Sequence, residues 1–476
     1  MRTRNKILLG FGIAIGALIL AAGITLYVIS RDEPPPDDSD LIVKRLDIPD
    51  DQNGFTYFQQ AGAALYWPGT EAWKKSGKHQ EPEDLYSAPE NDPQVKAAIA
   101  IRDRLDKMLA GKDWDEALAK EILEANKPTF ALIEKGLACR ECQAPEAKGI
   151  ETAFPKVSGL LILARLMKLR VFDLARRGQD EAALNQAGDL VQLGHGIAGS
   201  RGALIVHLVG ITCKSKGLSA VVRLLPGTHA APDQLGALSR RLASMADTRE
   251  QLAETFRAEY NWAWGVVEDF HSGRAAPDEF QMGRWAAYMD YGFVFKPNET
   301  KHLYADHFRA LIAKARRPGS EVELPGPPWP KDSGTVRKFL SGNVVGRVFY
   351  AMFTPTMRLV LDQGSRIMTE TGAVETMVAL KAFKMKTGRL PKMLDELVPE
   401  YLAAVPLDDF DGKPMRYSPE KKILYSVGKD LKDVGGFTRE ESLKWWQKEY
   451  PYRPPEDAPL EPPVWDLPNP SWPIEF

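Results

Sequence analysis

The stretch VETMVALKAFKMKTGRLPKMLDELVPEYLAAVPLDDFDGKPMRYSPEKKILYSVGKDLKDVGG, Val374–Gly436, changes periodicity partway through and so divides a helical chain from a mixed module. Val360, Ile367, Val374, Val378, Ala382 and Met385 recur at helical spacing. They predict a long helix that opens at Thr354-Pro355, a cap followed by proline at the first helical position, and runs to about Lys386. Gly388 supplies the C-terminal turn. Pro391 opens a short helix with Leu394, Leu397, Val398, Tyr401 and Leu402 inward, and Pro406 ends it. Asp408, Asp409 and Asp411-Gly412 form a turn, and Met415–Ser418 and Ile423–Val427 read as the strands of a hairpin.

The far N-terminus has a different physics. Arg2, Arg4 and Lys6 precede an uncharged run from Ile7 to Ser30, and Asp32, Glu33, Asp37 and Asp38 follow it. At about 1.5 Å per residue the run spans a hydrocarbon core of about 30 Å. The basic flank places residues 1–6 in the cytoplasm and the remainder on the exported side. A cleaved signal peptide is the competing reading, with Ala21-Ala22-Gly23 as a weak site, but its apolar region is normally shorter. The expected location is therefore the inner membrane, single pass through residues 7–30, with the bulk periplasmic. Residues 31–50, which contain PPPDDSD, read as a stiff acidic linker that keeps the body off the bilayer. The formal net charge of -2 speaks against a nucleic-acid partner, which needs a basic surface.

Residues 51–317 read as a helical domain. Phe55–Trp67 is a first helix with Asp50, Asp51 and Asn53 as candidate caps, and 70–93 is a polar loop. Val95, Ile99, Ile101, Leu105 and Leu109 form one apolar face closed by Gly111; Asp113 caps the next helix, which Lys127-Pro128 interrupts. Val157–Ala198 is an antiparallel hairpin turning at Gly178, with Ala183, Ala187, Gly194 and Ala198 small enough for close helix approach. It resembles a tetratricopeptide hairpin, without a second copy at a fixed period of about 34 residues. Leu204–Leu225 is a further apolar helix, and Pro232–Phe270 reads as one long helical run. The aromatics Tyr260, Trp262, Trp264, Phe270, Trp285, Tyr288, Tyr291, Phe293 and Phe295 are expected as core rather than as a ligand platform. Asn298–Ala313 is another helix, residues 318–353 a linker and connecting segment, and 441–476 a Pro/Trp-rich tail that is either a polyproline ligand or a strap along the body.

In residues 354–440 the order K-x-G-R-L-P, L-x-E-L-V-P-E-Y-L, V-P-L-D-x-F-D-G-K-P-x-R-Y and L-Y-S-V-G-K-D resembles the C-terminal half of the major pseudopilin of type II secretion systems. The residues that carry the likeness are Gly388, Pro391, Leu397, Val398, Pro406, Asp408, Gly412, Pro414, Tyr417, Tyr425, Ser426, Gly428 and Asp430. The module is also similar to the ending of membrane-anchored bacterial proteins with a helical body. The resemblance implies a small α+β head, a place among secretion or pilus components, and calcium in the loop that holds Asp430 and Asp433. Two features depart from it. The apolar helix lies far upstream of the module, and Gly10-Phe11 is followed by Ile15 where a prepilin has Glu.

Catalytic patterns are scarce. His79, His195, His207, His229, His271, His302 and His307 form no H-E-x-x-H, and His302 and His307 read as ordinary helix residues. There is no phosphate-binding glycine loop and no G-x-S-x-G elbow. Asp408, Asp409 and Asp411 fit acid–base work, but turn and cap roles explain them with less. Cys139 and Cys142 have C-x-x-C spacing without a second pair for zinc, so a local disulfide is expected, and Cys213 is expected as a buried thiol. The fold class that follows is mainly α: an N-terminal transmembrane helix, a helical body with antiparallel hairpins and a small α+β module. The function that follows is non-enzymatic binding or scaffolding of envelope proteins. The alternatives are a divergent secretion-system component and an exported hydrolase whose site is assembled from scattered residues.

Overall fold

The computed structural model describes residues 2–68, 93–152, 154–274, 292, 294–317, 324–325, 342–354, 357–449 and 464–476. The expected loop at 70–93 (up to Asp92), Trp285, Tyr288, Tyr291, Phe293, most of the 318–353 segment, Pro355, and Pro451–Pro463 of the tail lie outside the described residues. The architecture is mainly helical, with one three-stranded sheet.

Helix α1, Arg2–Ser30, has 29 residues and a length of about 43 Å. Ile13, Leu18, Ile19, Leu20 and Tyr27 are exposed, with no cover among the described residues. After a strap at 31–53, the body begins with α2, Gly54–Ala64, capped by Asn53 accepting from the Phe55 amide. Helices α3 (Pro93–Leu109), α4 (Glu116–Ala125) and α5 (Lys127–Ala138) follow. The N-cap of α4 is Asp115, which accepts from the Leu118 amide at 3.0 Å, rather than Asp113. Asp113 has φ 47° and shapes the preceding turn instead.

The expected hairpin forms as α6 (Val157–Arg176) and α7 (Asp180–Ala198), with Gly178 at φ +70° where a left-handed turn is required. Leu163, Leu166 and Leu169 are buried along with the predicted stripe, because α6 is covered on several sides by α2, α7 and α8. Helix α8, Leu204–Leu224, is long and apolar enough by composition to cross a membrane, yet most of it is buried against α6, α7 and the long C-terminal helix. A Cβ on Gly194 would lie 2.2 Å from the Lys214 nitrogen, and one on Gly210 2.2 Å from the Ala198 nitrogen. The backbones of α7 and α8 thus touch along an antiparallel crossing, as the small residues predict.

The run Pro232–Phe270 is two helices, α9 (Pro232–Ala243) and α10 (Arg249–His271). The break at 244–248 has no glycine or proline; its local signal is Asp247-Thr248, where the Asp247 carboxylate accepts the Arg249 amide at 3.0 Å at the start of α10. It is also held from outside: the Lys214 ammonium donates to the Met245 carbonyl at 2.6 Å. Helix α11, Pro297–Ala315, packs along α10, and α12, Val344–Phe353, packs on α11. Tyr260, Phe270 and Phe295 are buried here, as core aromatics are expected to be.

Helix α13, Met357–Thr387, is the spine of the molecule. Its Met357, Val360 and Leu361 complete the core built by α10, α11 and α12; its Val374, Val378, Ala382 and Phe383 complete the larger core of α2 to α9. Gly388 turns the chain at φ +77°, and the short helix expected after Pro391 is a single 3-10 turn, Leu394–Leu397. Strands β1 (Arg416–Ser418) and β2 (Ile423–Tyr425) pair antiparallel, Tyr417 opposite Leu424. Helix α14, Arg439–Glu449, begins the tail. The chain then returns as β3, Ser471–Pro473, which adds to β2 with Leu424 opposite Trp472. Trp472 and Ile474 are buried, so this part of the tail lies along the body.

Candidate functional site

Three polar assemblies stand out, and the first is where α1 meets the body. The acidic segment after Ser30 is not a free spacer; it is bound to α10 and α11. The two oxygens of Asp32 accept the Asn298 amide at 2.8 Å and the Glu299 amide at 3.0 Å, satisfying open N–H groups in the first turn of α11. Asp38 accepts from the Tyr260 hydroxyl at 2.7 Å and faces the Lys301 ammonium at 2.9 Å. Burial pushes the Asp38 carboxyl up, but the bonds from Tyr260 and Lys301 together hold it below its ordinary value. Asp40 takes a forked contact from Arg309, at 3.0 and 2.7 Å, which lowers its pKa. Asn298 donates to the Glu33 carbonyl, His302 contacts the Pro34 carbonyl, and a Cβ on Gly292 would sit 2.5 Å from the Ser30 carbonyl. Farther on, Arg45 reaches the carbonyls of Arg201 and Ala144, and the Gln143 and Leu46 groups exchange hydrogen bonds. One strap therefore fastens to both cores.

The second assembly is in the module. Asp408 is fully buried and accepts the Val427 amide at 2.9 Å, the Phe410 amide at 3.2 Å and Arg416 at 3.2 Å. Burial nevertheless raises its pKa. Arg416 also holds Asp411 at 2.5 Å and Asp433 at 3.2 Å. Asp409 pairs with Arg249 of α10 at 2.7 Å, and its backbone amide donates to Thr369 of α13. These carboxylates bind the module to the spine and close its turns.

Asp430 and Asp433 are the expected calcium ligands. Asp430 accepts the Lys432 amide and Asp433 the Gly435 amide, each closing a turn, while the second oxygen of Asp433 meets Arg416. Calcium takes six to eight oxygens. Among the described residues no third His, Cys, Asp or Glu joins Asp430 and Asp433 in a metal-ligating group. Cys139 and Cys142 are free thiols here rather than a disulfide. Cys139 donates to the Lys135 carbonyl, one turn back on α5, whereas Cys142 points to Gly196 of α7. Burial raises both thiol pKa values, Cys142 more strongly, which leaves them unreactive near neutrality. Cys213 is buried, as expected.

The third assembly is a row of ionisable groups between α7, α8, α10 and α13, which sequence reasoning missed. Lys214 is fully buried and its pKa is lowered to about 7 by burial. Glu370 accepts from the Ser215 hydroxyl at 3.0 and 3.1 Å; burial raises it to about 7 against the pull of Ser215 and Trp465. Glu259 accepts the Leu204 amide at 3.0 Å, the first N–H of α8, and burial raises it to about 7. His195 and His207 are lowered to about 4, first by burial and with the Lys214 charge adding to it. A Ser–His–acid relay is not assembled: the ring of His195 meets Gln251, and His207 meets the Ala198 carbonyl and Thr255. Among the described residues Ser215 has a carboxylate but no imidazole. The only signal for this row was charged residues on the apolar stripe of a helix, as Lys214 is four residues from Gly210.

Comparison of the chain with protein-family models, with curated proteins and with solved structures finds no match in any of the three.

Proposed function

We propose that this is a single-pass membrane protein whose helical body is seated directly on the exported face of the bilayer, where it binds or scaffolds other envelope proteins. The observation that carries the reading is the junction after α1. A helix whose described apolar side chains from Ile13 to Val28 are exposed ends at Ser30, and two residues later Asp32 caps α11 of the body. Apolar side chains left without a partner among the described residues call for another apolar phase. A body tied at Asp32, Asp38 and Asp40 keeps one fixed orientation toward that phase. Such a seat suits a docking platform better than a freely swinging domain.

The test is fractionation and topology in intact cells. The full chain is expected to stay in the membrane pellet through alkaline carbonate, and its body to be cut by protease added to spheroplasts. Release of the intact chain into the soluble fraction would overturn the anchor, and protection of the body would overturn the topology. Crosslinking with α1 retained then identifies what the platform holds.

A second reading, a divergent secretion component, draws on the order of elements: α13, the Gly388 turn, a 3-10 turn, then an antiparallel sheet. It predicts that deleting 374–476 impairs secretion while the remaining chain stays in the membrane.

A further inference from the structure

A cleft of about 770 Å³ lies by the strap, an open surface of mixed polar and apolar side chains beside Cys139. A second cleft, of about 720 Å³, runs between α8 and α13, and its walls change character along their length. Leu204, Leu208, Leu359 and Val360 line one end. Lys216 and Arg366 line the other, where Trp465 and the Ser215–Glu370 pair close it. From Leu204 to Lys216 the floor is twelve residues of helix, about 18 Å.

The geometry points to this cleft as a binding site for a single acyl chain bearing an anionic head group, with the chain on the leucines and the head at Lys216 and Arg366. The site goes beyond the scaffold reading and does not depend on it. Three observations select the ligand. Neither Lys216 nor Arg366 has a carboxylate partner among the described residues; Arg366 instead lies 5.7 Å from the Trp465 ring. The lining of this end holds two cations, Lys216 and Arg366, against one acid, Glu370, which accepts from the Ser215 hydroxyl; burial weakens the charge of both Lys216 and Glu370, and Arg366 keeps its own. The volume suits a small ligand. At the apolar end Leu359 is exposed, with no cover among the described residues.

The experiment uses the full chain held in amphipol and a dansyl-labelled fatty acid as the probe, displaced by myristate, myristyl alcohol and lysophosphatidylglycerol. Saturable binding is expected, with myristate at least tenfold more effective than the alcohol. Affinity should rise about fourfold for each added methylene while the chain still lies in the cleft. Lysophosphatidylglycerol competing more strongly than myristate assigns the site to a membrane phospholipid; the reverse assigns it to free fatty acid. Thr212→Trp, at an exposed position lining the cleft, should weaken binding tenfold or more by filling it. Lys216→Glu with Arg366→Glu should erase the preference for acid over alcohol. Melting temperatures are read alongside, and if one variant fails to fold the other decides. Absence of saturable binding, equal displacement by the alcohol, or indifference to the folded variants would overturn the proposal.

Discussion

Replacing Glu259 by Gln isolates the cost of one buried charge. The carboxylate is 7% exposed, accepts the Leu204 amide at 3.0 Å, and has its pKa raised from 4.5 to about 7 by burial. A carboxyl whose folded pKa is raised binds its proton more tightly when folded. Stability is therefore lost as pH rises from the unfolded value toward 7, and the loss is complete above that. A shift of about 2.5 units corresponds to about 3 kcal/mol. The open N–H groups of α8 favour the anion and reduce this by up to about 1 kcal/mol. Gln keeps the acceptor for Leu204 and carries no charge, so E259Q should be more stable than the parent by about 2–3 kcal/mol at pH 8 and nearly equal at pH 4.5. At about 2.1 cal/mol/K per residue this is roughly 2–3 °C in melting temperature. The difference between variant and parent is the useful quantity. The parent curve itself sums opposing slopes, because His195, His207 and His307, lowered to about 4, add stability as pH rises from 4 to 6.5. The assay is thermal and urea unfolding of both proteins across pH 4.5 to 8. A difference that does not change with pH, or an E259Q less stable than the parent at pH 8, would refute the reasoning.

Gly210→Ala should reverse the usual sign. In an open helix this change stabilises by about 1 kcal/mol, and Gly236, whose Cβ would meet only Arg240 at 3.5 Å, should behave that way. At Gly210 the new methyl would meet the Ala198 backbone at 2.2 Å and separate α7 from α8, costing about 3 kcal/mol in urea unfolding. Arg416→Ala strands the buried Asp408 carboxylate and should cost about 3 kcal/mol at pH 7.5, seen as faster proteolysis of the module. Because burial already raises the Asp408 pKa, protonation as the pH falls should relieve the part of the cost that comes from its stranded charge, narrowing the gap between variant and parent.

The helical class, the hairpin about Gly178 and the close α7–α8 contact were legible because each is local: a 3.6-residue stripe, a turn glycine, a row of small side chains. What was not legible depends on distant partners. PPPDDSD has the composition of a spacer, but Asp38 and Asp40 pair with Lys301 and Arg309. The α9–α10 break is held from outside by the Lys214 ammonium at Met245, and β3 is three residues, Ser471–Pro473, too short to alternate. The buried row escaped for a related reason. A polar residue on a helix is assigned to the outer face unless a neighbour is known, and the neighbours of Lys214, Glu259 and Glu370 come from other helices. The turns at Gly388 and Gly412 form as the turn glycines predict, while Asp433 meets Arg416 and Asp430 closes a turn with the Lys432 amide.

The strap also sets a timetable. Asp32 is made early, but its partner Asn298 follows 266 residues later. At roughly 5–20 residues per second, synthesis leaves the strap without its seat for about 15–50 s. The sheet closes later still, since β2 gains its second neighbour only from Ser471–Pro473. The first part of the strap, 32–40, is thus among the first segments to be made and is fastened late, whereas Arg45, Leu46 and Asn53 meet their partners at 143, 144 and 201 much earlier. A pulse-labelled chain should acquire protease resistance at 32–40 only after α11 has been completed.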